Sequence, residues 1–68
     1  MMRITFDPDA DALYIELCPS QPDDSRDIED GATVTLGAEG QVIGLEILDF
    51  TARIGRDALT SVTIEQLS

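Results

Sequence analysis

The 68-residue chain has no histidine, lysine or tryptophan, and only one cysteine, one tyrosine and two phenylalanines. Lacking histidine, it lacks the residue that most often serves as general base, proton shuttle and transition-metal ligand near neutral pH. Cys18 stands alone, so it can close no internal disulfide, and with no imidazole to activate it a Cys–His nucleophile is excluded. A lone thiol fits a reducing compartment, and a cytoplasmic location is expected. Cations are scarce as well: four arginines face fourteen Asp and Glu, giving a net charge of −10 and a pI near 4.1. Such a surface repels phosphate, which argues against nucleic acid or an anionic membrane as partner. Long apolar runs are absent too. The most apolar stretch, Val42 to Leu48, is broken by Gly44 and Glu46 and falls far short of the ~20 residues that span a bilayer. Met1 to Phe6 runs straight into Asp7-Pro8, too short an apolar region for a secretory signal, so no export by that route is expected.

What is present argues for a folded domain. Hydrophobic residues make up 43% of the chain, too many for a disordered polyelectrolyte. The length allows one domain, residues 1–68, which would bury roughly 60% of the surface its unfolded form exposes. With so small a core, and with neither disulfides nor a structural metal set, self-association is the remaining common means of stabilisation.

Hydrophobic periodicity is two over most of the chain, which predicts strands. Ile4 and Phe6 alternate with Arg3 and Thr5; Leu13, Ile15 and Leu17 alternate with Ala12, Tyr14, Glu16 and Cys18. Between these runs lies Asp7-Pro8-Asp9-Ala10-Asp11, where proline fixes φ and the aspartates can accept from their own backbone, predicting a hairpin with a five-residue loop. Pro19 to Asp24 carries two prolines and reads as a connection. Ser25 to Glu29 is expected as a short edge strand with Ile28 inward, turning at Asp30-Gly31. Ala32, Val34 and Leu36 then face one way and Thr33 and Thr35 the other. After a turn at Gly37 to Gly40, residues Gln41 to Leu48 place Ile43, Leu45 and Ile47 inward and Gly44 and Glu46 outward. Gly44 marks either a bulge or a close backbone approach. In the tail, Asp57 to Leu59 suits one helical turn laid on the apolar face. Val62 and Ile64 alternate with Thr63 and Glu65 as a last strand, with a short helix through Leu59, Val62, Gln66 and Leu67 as the alternative. The fold class is therefore mainly β: an antiparallel β-meander of five or six strands with a short helical turn near the C-terminus.

Two segments, Ile4-Thr5-Phe6-Asp7-Pro8-Asp9-Ala10-Asp11-Ala12-Leu13-Tyr14-Ile15 and Val42-Ile43-Gly44-Leu45-Glu46-Ile47-Leu48-Asp49, together resemble the small bacterial family catalogued as domain of unknown function 2283. The resemblance covers about two thirds of the chain. It implies a compact β-meander with a short helical or irregular tail and no established activity. An association of relatives with small toxin-like proteins adds an antitoxin-like role to what it implies. This chain departs from many relatives in lacking lysine and in its longer acidic middle, Asp23 to Asp30.

Several groups of residues are candidates for chemistry. Asp7, Asp9 and Asp11 could converge on a hard cation, but an EF-hand loop begun at Asp7 would need Gly and Glu where Ala12 and Cys18 stand. The simpler expectation is a loop whose aspartates satisfy turn amides. Glu16 and Glu46 share the outer face with Tyr14, yet one open sheet offers no cleft to separate carboxyl pKa values for acid–base catalysis. Arg53 and Arg56, beside Asp49 and Asp57, are expected to form local ion pairs, and the glycines fit no phosphate-binding spacing.

These readings favour a non-enzymatic protein-interaction module, homodimeric, without cofactor, offering an acidic surface to a basic partner. Residues 1–31 hold nine acids and two arginines, a net −7, and the remainder hold five and two, a net −3. The acidic field is thus strongest in the first half. The candidate interface residues are Tyr14, Glu16, Thr33, Thr35, Gly44 and Glu46. The alternative is divalent-cation or small-ligand binding through Asp7, Asp9 and Asp11.

Overall fold

Alternation in the sequence becomes five antiparallel strands in a single sheet: β1 (Arg3–Asp7), β2 (Ala12–Glu16), β3 (Asp24–Glu29), β4 (Ala32–Leu36) and β5 (Val42–Ile47), followed by a short helix α1 (Phe50–Ile54). The computed structural model describes residues 1–55 and 62–67. The spatial order is β1-β2-β5-β4-β3, so the sheet departs from sequential order at one connection. Residues 17–23 carry the chain past the ends of β5 and β4 to the far edge. Both ends of that connection are tied down, Leu17 N–H donating to Ile43 O at 2.9 Å and Asp23 N–H to Leu36 O at 2.9 Å.

Two apolar rungs cross the sheet. Ile4, Ile15, Leu45 and Val34 are successive cross-strand partners, as are Phe6, Leu13, Ile47 and Ala32. At β3 these rungs end on charge, in Arg26 and Glu29 respectively. Helix α1 is tethered near both edges of the second rung. The Phe50 ring meets the Phe6 ring at 6.0 Å between centroids, tilted by 50°, and Arg53 reaches Glu29. The core is small: Ala32 (3% exposed) and Ile43 (2%) are its buried hydrophobic residues, while Ile4 on the first rung remains 42% exposed.

The turns follow their residue chemistry. Asp7 pairs with Ala12, shortening the first loop to Pro8–Asp11, one residue less than the sequence suggests. Asp30-Gly31 connects β3 to β4 as expected, with Gly31 at φ 82°. Asp30 is not in the positive-φ region, so this is not the type I′ turn that needs both residues there. Gly40, at φ 80°, closes the next turn by donating to Gly37 O at 3.0 Å.

Two expectations need correction. Ile28 does not point inward: the β3–β4 register shifts between Asp27 and Glu29, and Ile28, left without a cross-strand partner, is 58% exposed. Val62 to Leu67 form neither strand nor helix and are exposed. The observed helix lies upstream of the expected turn at Asp57–Leu59, which falls outside the described residues. Among the described residues, no helix is long and apolar enough to cross a membrane.

Candidate protein-interaction face

Opposite the apolar rungs, the strand alternation assembles a polar face. Residues with odd numbers on β1 and even numbers on β2 and β5 share it, because side chains alternate with period two. One rung reads Thr5, Tyr14, Glu46, Thr33, Asp27 and the next Arg3, Glu16, Gly44, Thr35, Ser25, each neighbouring pair being cross-strand partners. All six residues expected at an interface, Tyr14, Glu16, Thr33, Thr35, Gly44 and Glu46, therefore lie on two adjacent rungs of three central strands.

Gly44 explains the shape of this face. A β-carbon placed there would lie 2.6 Å from the Tyr14 hydroxyl oxygen and 3.2 Å from Ile15 O. The Tyr14 ring thus leans diagonally across the gap that glycine leaves, and its hydroxyl donates to Thr35 Oγ1 at 3.4 Å. The glycine gives both features the sequence allows as alternatives: a close approach, here by a side chain, and a neighbouring irregularity, where the β4–β5 register shifts between Thr35 and Leu36. Toward β3, Thr33 Oγ1 donates to Asp27 Oδ1 at 2.9 Å. Asp27 is not among the residues that the sequence alone singles out: counted back from the Asp30-Gly31 turn it would fall opposite Val34, and the register shift between Asp27 and Glu29 is what sets it opposite Thr33.

Glu16 and Glu46 are diagonal rather than direct neighbours. Glu16 is half-buried and Glu46 exposed. Every described carboxylate apart from Asp11 and Glu16 belongs to an exposed residue.

The aspartate loop does not gather its carboxylates. Asp7 Oδ1 accepts from the Asp9 and Ala10 amides at 3.0 and 3.4 Å, an Asx turn. Asp11, at φ 51°, turns the other way: its carboxylate accepts the Thr51 amide at 3.1 Å and the Thr51 hydroxyl at 2.8 Å. Its carbonyl accepts the Phe50 amide at 3.0 Å. Asp49, at the N-cap position of α1, makes no side-chain cap, so Asp11 supplies from a distance the acceptors that a helix start requires. Asp9 is exposed beside them. Among the described residues, no group of three or more acidic or thiol side chains is placed to hold a metal ion.

Arg53 also departs from the local pairing expected of it. Its guanidinium donates to Glu29 Oε2 at 2.9 Å, to Asp30 O at 2.9 Å and to Leu48 O at 3.1 Å, clasping the β3–β4 turn and the end of β5. Arg56 lies outside the described residues. Cys18 is a half-buried free thiol 3.4 Å from Ser20 Oγ.

The two segments that carry the resemblance occupy the β1–β2 hairpin and β5, and the model of the family described as "Protein of unknown function (DUF2283)" matches residues 3–50. The chain belongs to this family. The match takes in all five strands and stops at the first residue of α1. No curated protein and no solved structure matches the chain.

Proposed function

We propose that this DUF2283 domain is a non-enzymatic, homodimeric interaction module that presents its polar sheet face to a basic partner protein. The observation that carries the reading is the pair of uninterrupted rungs described above, which put Glu16, Glu46 and Asp27 beside Tyr14 and three threonines on an open surface. Threonine and tyrosine lose little side-chain freedom on contact, and tyrosine is enriched at the centres of interfaces. A net charge of −10 speeds encounter with a positive surface and makes that encounter salt-sensitive. In its narrowest form the reading is antitoxin-like, the partner being a small basic protein met in the cytoplasm, where the Cys18 thiol stays reduced.

Charge reversal separates a specific face from bulk attraction. A Glu16→Lys, Glu46→Lys double variant and a Glu39→Lys, Glu65→Lys double variant carry the same net charge, but only the first alters the face. With a lysine-rich polypeptide as probe, calorimetric titration at low ionic strength should show binding weakened about tenfold or more in the first variant relative to the second. Equal affinities would mean that the face has no special role.

A further inference from the structure

The two edges of the sheet are built differently, and the difference points to how copies of this chain meet. β3 is blunted in the ways natural edges are: it carries Asp24, Arg26, Asp27 and Glu29, a register shift interrupts it, and Arg26 and Glu29 lie on the apolar side of the sheet. β1 carries charge only at its two ends, in Arg3 and Asp7 on the polar side. It pairs with β2 in unbroken register, leaves its other side without a strand among the described residues, and places Ile4 and Phe6 on the apolar side.

The sequence of β1, Arg3-Ile4-Thr5-Phe6-Asp7, is self-complementary when reversed about Thr5. We infer that β1 is the dimer edge: two copies pair antiparallel through this strand, Thr5 opposite Thr5, about a twofold axis perpendicular to the sheet. In that register Arg3 of each copy faces Asp7 of the other on the polar side, and Ile4 faces Phe6 on the apolar side. Opposite charges and an aromatic–aliphatic pair are the favourable cross-strand combinations. Arg3 makes no ion pair within the chain among the described residues. A twofold axis repeats each contact, as an isologous interface requires, and strand addition of this kind satisfies the backbone groups of an open edge. The product is a ten-stranded sheet in which the first apolar rung, including half-exposed Ile4, continues into the second rung of the other copy. Each copy keeps its polar face clear, on the same side of the joined sheet. This deepens the homodimer part of the proposed function, and neither rests on nor requires the basic partner.

Sedimentation equilibrium of the full chain over about 10 µM to 1 mM, the range expected for a small edge interface, should show a monomer–dimer equilibrium. Arg3→Glu should weaken it about tenfold or more, because both symmetry-related pairs become repulsive. In a Cys18→Ser background, Thr5→Cys should cross-link into dimers on mild oxidation, since directly opposed residues place their α-carbons about 4.5–5.5 Å apart, within the span of a disulfide. Ser25→Cys on the β3 edge should not. A monomer throughout overturns the dimer in both readings. A dimer that resists Arg3→Glu, or that cross-links equally at Ser25 and Thr5, overturns the β1 assignment alone.

Discussion

Three aspartates spaced two apart, Asp7, Asp9 and Asp11, show how far one residue type can diverge. Asp7 closes its own turn, while Asp11 reaches a residue 40 positions away and caps the start of α1. Asp also tolerates the left-handed backbone at φ 51° better than most residues. Asp11→Ala removes the acceptor of the Thr51 amide and hydroxyl while keeping the strained conformation, and should cost about 1–3 kcal/mol in urea unfolding. Asp11→Asn retains one acceptor and the tolerance for this backbone, so its loss should be less than half as large. Equal losses would show that charge, rather than hydrogen-bond geometry, is what Asp11 provides. Nothing in the spacing of the aspartates distinguishes these roles, because the partner that fixes Asp11 becomes its neighbour only when the sheet is folded.

At the level of elements, strands with unbroken alternation are legible in the sequence and the exceptions have definite causes. β1, β2, β4 and β5 can be read because each carries its apolar residues at one parity; the six interface candidates come together only through the β2–β5 pairing, which a meander in chain order would not make. Ile28 defeats the same logic because a one-residue register shift reverses the parity on which it depends. Helix α1 leaves no periodic trace: five residues make little more than one turn, and a helix so short depends on tertiary tethers rather than on propensity. Arg53 is the tether at its C-terminal end. Arg53→Ala should lower stability by about 1–2 kcal/mol and speed hydrogen exchange at the α1 amides. Arg53→Lys should recover only part of this, since an ammonium cannot serve three separated acceptors as a guanidinium fork does. Glu29→Gln should cost under about 1 kcal/mol, because the pair is substantially exposed, at 36% and 61% of the two side chains. A Glu29 effect as large as that of Arg53 would place the stabilisation in the ion pair and not in the two carbonyl contacts.

For the molecule as a whole, the balance between charge and core decides how it responds to solution conditions. The chain exposes 5358 Å², where folded monomers of its mass expose about 4,200 Å². A domain of this length is expected to have about 3–10 kcal/mol of net stability, so mutual repulsion among its carboxylates is a significant fraction of the total. The longest dimension is 37 Å. At about 10 mM ionic strength the screening length is about 30 Å, so nearly every charge acts on every other, whereas at 0.1 M it falls to about 10 Å and only near neighbours interact. Added salt therefore relieves the excess of fourteen acids over four arginines more in the compact state than in the expanded unfolded chain. It also weakens the Arg53–Glu29 pair, the one ion pair among the described residues, but an exposed pair contributes at most about 1 kcal/mol. Repulsion outweighs that pair, and its relief sets the sign. Raising sodium chloride from about 10 to 300 mM should increase the thermal unfolding midpoint by several degrees, given that about 1 kcal/mol moves the midpoint of so small a domain by 4–8 °C. The measurement belongs at a protein concentration low enough to keep the chain monomeric, so that screened association does not add its own stabilisation. A midpoint that falls with chloride would mean that the carboxylates are paired more effectively than their number and exposure indicate.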